Sequence, residues 1–126
     1  MIAPQLAARL KVQGGDFFAE APAGADAYLL KRSIHDWGDG ACITILGRIR
    51  EAMATGRRVL IIEPVIPPGN GPFPGMLLEL NMLVMTECGR ERTAEEYASL
   101  LERAGLRLSR IVPTASSVSV VEALAA

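Results

Sequence analysis

The sequence predicts an α/β fold, namely a portion of a doubly wound, Rossmann-like sheet without the first strand and the glycine-rich turn that normally begin such a sheet. Residues 58–65 (RVLIIEPV) form a nearly continuous apolar run, typical of a strand covered on both faces of a parallel sheet. A helical pattern precedes this strand, and a shorter strand pattern precedes the helix, which together make a βαβ unit. The only early glycine pair, Gly14 and Gly15, is followed by no clear helix, although a glycine-rich ligand-binding turn needs one.

In the first half of the chain, the pattern predicts two strands and a long helix after a short helical start. Residues 3–10 are rich in Ala, Leu and Arg and predict a helix stub that leads into a strand around residues 10–13. Residues 27–31 (AYLLK) follow a turn rich in Pro, Gly and Asp and predict the second strand. Asp39 is expected to cap the next helix and Gly56 to end it. The buried face of that helix has amphipathic spacing and comprises Cys42, Ile45, Leu46, Ile49 and Met53.

The second half of the chain predicts a loop, two helices and two strands. Residues 66–75 are rich in Pro and Gly and predict a loop, and residues 76–86 are apolar almost all round, which predicts a buried helix. Thr93 and Glu96 have the spacing of a capping box at the start of the last helix, and Gly105 is expected to end it. Its apolar stripe comprises Tyr97, Leu100, Leu101 and Ala104. Residues 107–113 and 118–123 then predict an antiparallel pair of strands joined at residues 114–117.

Composition excludes several function classes. The 126 residues are enough for one domain, and 13 basic against 14 acidic residues give no basic patch for nucleic acid. The longest apolar runs are far shorter than a membrane span, and Arg9 and Lys11 interrupt the first stretch, so no export signal is expected. Cys42 and Cys88 fit free thiols in a reducing compartment. We therefore expect a cytoplasmic protein.

His35 and Glu63 are the first candidates for chemistry. His35 is the only histidine and follows a predicted parallel strand, at the end of a sheet that faces the ligand crevice in such folds. An imidazole can remove a proton from a hydroxyl group, although a surface or capping histidine at this turn is the alternative. Glu63 interrupts the most apolar strand near its carboxyl end. Either it reaches solvent, or it is buried against a donor such as His35, whose tautomer it would fix.

The other candidates each have an ordinary structural explanation. Glu91 precedes the capping box, where charged residues usually form a solvated helix entrance. Asp16 fits either a cofactor contact or a turn, and Lys31 either neutralises a carboxylate or extends from a strand end. Trp37 fits either a stacking platform or a core anchor. Methionines at 76, 82 and 85 fit a substrate pocket or core packing. One histidine and two cysteines do not make a metal-ligand set, so no metal site is expected.

Taken together, the motifs resemble one family over essentially the whole chain. The chain is similar to the plant-type and bacterial small-molecule O-methyltransferases, the group that includes caffeic acid O-methyltransferase. The paired H-D-W and G-[RK]-E-R-T motifs, with E-P-x-x-P between them, are highly specific to this family. The matching segments are GGDFF at residues 14–18, LKRSIHDW at 30–37, EPVIP at 63–67, LNML at 80–83 and GRERT at 89–93.

The resemblance implies an S-adenosylmethionine-dependent enzyme with assigned site residues. His35 matches the catalytic base, which deprotonates a substrate hydroxyl so that its oxygen attacks the sulfonium methyl group. Glu63 and Glu91 match the acidic residues that orient the histidine. The remaining matches are the cofactor-binding positions Asp16, Phe17 and Lys31, and the substrate-binding positions Asp36 and Met82. The implied acceptor is a small hydroxyl-bearing molecule of aromatic or polyketide type.

The resemblance also implies that residues 1–126 are the C-terminal half of the catalytic domain. Full-length members are more than twice as long and form homodimers, and their glycine-rich cofactor loop lies in the part that would precede residue 1. We therefore expect the isolated chain to bind S-adenosylmethionine weakly or not at all. Two hypotheses stay open: a fragment of an O-methyltransferase, or a non-catalytic half-domain with a binding or structural role. A nicotinamide-dependent enzyme is excluded because the GxGxxG turn is absent.

Overall fold

A computed structural model describes residues 3–68 and 89–126 as a mixed α/β unit. The predictions for the helix at residues 76–86, for Met82 and for Cys88 lie outside the described residues. No described helix is long and apolar enough to cross a membrane. The elements, in chain order, are α1 (Pro4–Ala7), β1 (Ala27–Lys31), a 3₁₀ turn (Ile34–Asp36), α2 (Asp39–Ala52), β2 (Arg58–Glu63), β3 (Val65–Ile66), β4 (Arg92–Thr93), α3 (Ala94–Arg103), β5 (Leu106–Pro113) and β6 (Ser119–Ala125).

The main sheet has four strands in the order β1–β2–β6–β5. β1 and β2 are parallel, with Ala27 opposite Arg58 and Lys31 opposite Ile62, so their carboxyl ends meet at one edge. The βαβ prediction is confirmed for these elements. β2 lies in a mixed sheet, however, because its other neighbour, β6, is antiparallel. The antiparallel pairing of β5 and β6 agrees with the prediction for the two final strands.

The strand predicted over residues 58–65 is divided at Pro64. β2 ends at Glu63, because proline lacks the N–H that a strand ladder needs. The chain then continues as β3, which pairs in parallel with β4, Val65 lying opposite Arg92. This short second sheet brings the segment around residue 91 beside the carboxyl end of β2.

The two long helices cover the sheet with the predicted apolar faces, but their ends differ from expectation at α2. Gly38, not Asp39, is the N-cap residue, and Asp39 is the first helical residue. The helix ends at Ala52, and Gly56, with φ of 80°, lies in the following turn. In α3 the predicted capping box is present: the Thr93 side chain accepts from the Glu96 N–H, and the Glu96 side chain accepts from the Thr93 N–H. The predicted stripe of α3 and the predicted face of α2 are both buried.

The amino-terminal stretch differs most from expectation. The predicted helix is reduced to Pro4–Ala7, and the strand predicted at residues 10–13 is wrong: these residues have no regular structure, and Val12 is 90% exposed. A strand forms only where another strand accepts its hydrogen bonds. Among the described residues β1 pairs with β2 alone, so its outer edge is unpaired and Leu29 on this strand is 60% exposed.

Candidate active site

His35 lies in a tight turn directly after β1. The chain reverses at Arg32, a non-glycine residue with φ of 50°, whose N–H donates to the carbonyl of Ile62 at 3.1 Å. The 3₁₀ turn follows, with Ile34 fully buried as its apolar anchor. His35 is only 5% exposed, and its backbone N–H donates to Glu63 Oε1 at 3.3 Å. The histidine is therefore held at the carboxyl end of two parallel strands, as position in the sequence predicts.

Two buried carboxylates face the same ring nitrogen of His35. Nδ1 lies 3.1 Å from Glu91 Oε1 and 3.2 Å from Glu63 Oε2, and both glutamate side chains are fully buried. A neutral imidazole has one N–H, and two carboxylates at Nδ1 place that proton there. One N–H cannot serve both acceptors equally; the hydrogen bond is made to Glu91, and Glu63 Oε2 has no hydrogen-bond partner of its own. This arrangement leaves Nε2 as the basic nitrogen of the ring.

Asp36 lies at the other ring nitrogen. Its Oδ1 is 3.3 Å from His35 Nε2, and its side chain is 44% exposed, in contrast to the two glutamates. Nε2 therefore faces the more open side of the turn. Because the carboxylate of Asp36 is near the basic nitrogen, it is placed to accept a hydrogen bond from a group that approaches His35.

Burial and charge move the pKa values of this group. The hydrogen bond to Glu91 raises the pKa of His35, burial opposes the increase, and the charges of Glu63, Glu91 and Asp36 add to it. Burial raises the pKa of Glu63 to about 6, although the nearby His35 opposes this change. The cluster thus retains a proton at pH values where exposed carboxylates have lost theirs. An imidazole accepts a proton only in its neutral form, which becomes more populated as the pH rises.

The three residues expected to bind the cofactor do not all line the same cavity. Asp16 and Phe17 line a cavity of about 680 Å³ beside β1, together with Leu29 and Leu30, but Lys31 and His35 are not among its lining residues. Oδ1 of Asp16 accepts a hydrogen bond from the Phe18 N–H at 2.9 Å, so this residue forms a turn, as its alternative explanation predicts. Asp16 remains exposed, and Phe17 is 46% exposed.

Trp37 links the residues around Asp16 to the histidine turn. Its ring meets Phe18 edge to face at 4.9 Å and Phe17 at 6.2 Å, while the two phenylalanine rings stack at 4.8 Å. From α2, Arg48 Nε donates to the Phe18 carbonyl at 3.1 Å. Trp37 is therefore an anchor between the GGDFF segment and the turn that contains His35.

Sequence reasoning missed two properties of this region. Arg92 is fully buried and bonds to the His35 turn; the available signal was a charged residue between Glu91 and the capping box. In addition, His35, Glu63 and Glu91 present ligand atoms within 4.8 Å of one another, so they form a group that could hold a metal ion. The expectation of no metal site considered only His and Cys. We interpret the group as proton-sharing, because the two carboxylates approach the same Nδ1 and Glu63 also accepts from the His35 backbone N–H.

Comparison with known proteins agrees with this geometry. Residues 1–107 match the O-methyltransferase domain family. The chain is 47% identical over 87% of its length to the phenazine O-methyltransferase PhzM of Lysobacter antibioticus, of which it covers 32%. It superimposes on the S-adenosylhomocysteine-bound structure of CalO1, a methyltransferase of calicheamicin biosynthesis, with a TM-score of 0.91 and 41% identity, over 99% of this chain and 37% of that one.

A third relative was solved with two bound molecules. The O-methyltransferase NcsB1 of neocarzinostatin biosynthesis, in complex with S-adenosylmethionine and 2-hydroxy-5-methyl naphthoic acid, has a TM-score of 0.85 and 38% identity, over 97% of this chain and 35% of that one. The chain thus spans about a third of the length of the relatives it matches. A family match over residues 1–107, with the fold and motif order described above, shows that the chain belongs to the O-methyltransferase domain family.

Proposed function

We propose that this chain is the His35-containing part of an S-adenosylmethionine-dependent O-methyltransferase that transfers a methyl group to a hydroxyl of a small aromatic or polyketide-type molecule. The observation that supports this proposal most directly is the placement of His35 Nδ1 between Glu63 and Glu91, with Nε2 left basic. The acceptor class follows from the relatives, among them the naphthoic acid complex of NcsB1. A proton must leave the acceptor oxygen during methyl transfer, and an imidazole with a fixed tautomer performs that step.

Each residue of the cluster has a role in the proposed reaction. His35 Nε2 accepts the proton of the substrate hydroxyl. Glu91 and Glu63 hold the Nδ1 tautomer and stabilise the imidazolium that forms. Asp36, 3.3 Å from Nε2, is placed beside the incoming hydroxyl, and Met82 remains a proposed acceptor contact. When bound, S-adenosylmethionine supplies the methyl electrophile, so the protein mainly positions the acceptor and removes its proton.

The residues present fit part of this cofactor. The exposed carboxylate of Asp16 and the exposed ring of Phe17, on the wall of the 680 Å³ cavity, suit the hydrogen-bonding and stacking needs of a nucleoside. Lys31, the last residue of β1, remains a proposed third contact. We expect the isolated chain to bind the cofactor weakly or not at all, because the described residues supply only this corner. A micromolar dissociation constant in calorimetric titration of the chain would contradict this expectation.

The remaining expectations concern the length, assembly and location of the active protein. Because the relatives are about three times as long, we expect catalysis from a longer protein that contains this segment and forms a homodimer. A cytoplasmic location agrees with the balanced charge and the free, buried Cys42. The alternative function, a non-catalytic half-domain with a binding or structural role, is favoured by one observation: His35 is not among the residues that line the cavity beside Asp16 and Phe17.

A chimeric enzyme separates these two functions. The chain replaces the matching third of the Lysobacter phenazine O-methyltransferase, and methyl transfer to that enzyme's own acceptor is measured. We expect activity, and we expect His35→Asn to reduce kcat by about 10²- to 10⁴-fold, because general base catalysis is lost. Glu95→Gln, an exposed change on α3, serves as the control and should leave kcat unchanged.

The outcomes of the chimera experiment test the base role of His35 and the non-catalytic alternative separately. Full activity of the His35→Asn chimera would remove His35 from the base role. A folded chimera that binds the cofactor but shows no methyl transfer would favour the non-catalytic alternative. In the active chimera, kcat should rise with pH through a His35 pKa above 6.5, because the neutral imidazole is the base.

A further inference from the structure

Arg92 is a fully buried cation next to the proposed catalytic cluster. Its side chain has no solvent exposure, and its charge is matched by Asp39: Nη2 donates to Asp39 Oδ1 at 2.9 Å and Nε to the same oxygen at 3.2 Å. Leaving a buried guanidinium unpaired would cost several kcal/mol, so these contacts explain how the residue is accommodated. They do not yet explain why a cation lies here.

Nη1 and Nη2 of Arg92 also donate to both ends of the turn that contains His35, besides weaker contacts with the Arg90 carbonyl and Cys42 Sγ. Nη1 donates to the carbonyl of Ile34 at 3.3 Å, and Nη2 donates to the carbonyl of Trp37 at 3.0 Å. These two carbonyls bracket His35 and Asp36. A planar guanidinium can bridge separate acceptors in fixed directions, which an ammonium group cannot do. The turn is therefore tied at both ends to one rigid group, which Asp39 connects to the first turn of α2.

The position of Arg92 on β4 links its hydrogen bonds with the turn carbonyls to the contact between Glu91 and the His35 ring. Glu91 precedes it directly, and successive side chains of an extended segment point to opposite sides. The carboxylate of Glu91 thus reaches His35 Nδ1 at 3.1 Å while the guanidinium reaches the backbone on either side of the same histidine. Pairing of Arg92 with Val65 fixes the register of both residues relative to Glu63.

We infer that Arg92 is a positioning residue for His35, whose guanidinium, anchored on Asp39, binds the Ile34 and Trp37 carbonyls and so holds the imidazole between Glu63 and Glu91. The contacts of Arg92 are with Asp39, Cys42 and backbone carbonyls and not with the His35 ring, so it acts through the turn. The inference deepens the proposed function, since the importance of the ring position rests on His35 being the base. A merely structural Arg92 would stabilise the fold and leave the ionisation of His35 unchanged.

The ionisation of His35 tests this inference without any measurement of catalysis. His35 is the only histidine of the chain, so its ring signals are directly assignable in NMR spectra of the 126-residue protein. Arg92→Lys keeps the positive charge but cannot bridge the carbonyls and Asp39 together, so a change in the His35 pKa reports geometry and not net charge. We expect this pKa to fall toward its ordinary value of 6.5, because the ring loses its hydrogen bond to Glu91.

A matched control uses another arginine near Asp39. Arg103 is exposed and lies 3.9 Å from Asp39 Oδ2, and no contact of its side chain with the turn is present among the described residues. Arg103→Gln should leave the His35 pKa unchanged. If Arg92→Lys is folded and its His35 pKa differs no more than that of Arg103→Gln, the inference is wrong.

A second variant keeps the test decisive if Arg92→Lys does not fold. Asp39 is only partly buried, and Asp39→Ala removes the anchor of the guanidinium while Arg92 remains. We expect the His35 pKa to fall in the same direction by a smaller amount, and an unchanged value would overturn the inference. In the chimera, Arg92→Lys should lower kcat about tenfold to a hundredfold with little change in KM, as expected for a base that is misplaced. If His35→Asn keeps full activity there, the proposed function fails, while the effect of Arg92 on His35 is still read from the NMR titration.

Discussion

The His35 turn follows β1 in the chain and the amino-terminal stretch precedes it, and the two differ in how far their side chains are buried and paired. At the carboxyl end, His35, Glu63 and Glu91 are buried and bond to one another, and Arg92 is buried against the turn. In the amino-terminal stretch Val12 is 90% exposed, and Leu29 on β1 is 60% exposed.

This difference shows that the buried cluster around His35 and the open edge of the sheet are formed by different parts of the chain. Among the described residues, the carboxylates that touch His35 Nδ1 come from Glu63, at the end of β2, and from Glu91, directly before β4. No described strand pairs with the outer edge of β1, and an unpaired edge exposes backbone donors and acceptors.

Matched leucine substitutions, one in the buried core and one on the exposed strand β1, should show the largest difference in stability. Leu101 on α3 has no exposure, and Leu101→Ala should lower the free energy of unfolding by about 2–5 kcal/mol, because it leaves a cavity in the core. Leu29→Ala, on the outer strand, should change it by about 0.5 kcal/mol or less. Urea denaturation of the isolated chain measures both. A large effect at Leu29 would mean that this edge is covered in solution.

The pH dependence of stability tests the buried cluster. Glu63 has a pKa raised to about 6 from 4.5, so the folded protein binds more protons than the unfolded chain in this range. The free energy of unfolding should therefore fall by roughly 1–2 kcal/mol as the pH rises through this window, and fall further as the pH rises through the raised pKa of His35. Denaturation from pH 4.5 to 8 in Glu63→Gln should show a flatter profile. Glu95→Gln, at an exposed position, should keep the original one, and a flat profile in the parent would contradict the buried, proton-retaining cluster.

A substitution in the capping box tests whether this local sequence signal stabilises the start of α3. Thr93→Ala removes the side-chain oxygen that accepts from the Glu96 N–H at 3.2 Å, and should cost about 1 kcal/mol. Ser99→Ala, an exposed change on the same helix, is the control and should have little effect. Thermal or urea unfolding measures the difference. Equal stability of the two variants would mean that the cap is not formed in solution.

Metal removal should have the smallest effect. The proton-sharing interpretation predicts that a chelator changes neither the unfolding midpoint of the chain nor the activity of the chimera, because Nδ1 donates to Glu91. A loss on chelation that is restored by an added divalent ion would show instead that His35, Glu63 and Glu91 bind a metal.

Prediction from the sequence succeeded where the signal was local. The capping box at Thr93 and the apolar stripe of α3 depend on residues three and four apart, and both are present in the fold. Asp39 shows the limit of such local signals. Its position predicts a cap, but its carboxylate accepts from Arg92, 53 residues away in sequence, and Gly38 occupies the cap position. A distant buried cation is a stronger partner for a carboxylate than exposed backbone amides are.

Glu91 shows a second limit. By position it resembles a solvated helix entrance, and only the family resemblance placed it near His35. The structure buries it because β4 pairs with β3, a two-residue contact that follows the Pro64 break and has no periodicity for the sequence to reveal. The strand predicted at residues 10–13 failed for the opposite reason: its pattern is present, but no described strand accepts its hydrogen bonds.

The sequence by itself determined the βαβ unit, the helix faces, the capping box and the position of His35 after a parallel strand. These follow from apolar periodicity and short-range hydrogen bonding, which adjacent residues specify. Only the tertiary structure decided that β6 lies antiparallel between β2 and β5, that Glu63 and Glu91 share Nδ1, and that Arg92 binds the turn around His35. Those outcomes depend on which strands pair and on which partners the buried charges find. In both cases the interacting residues lie far apart in the chain.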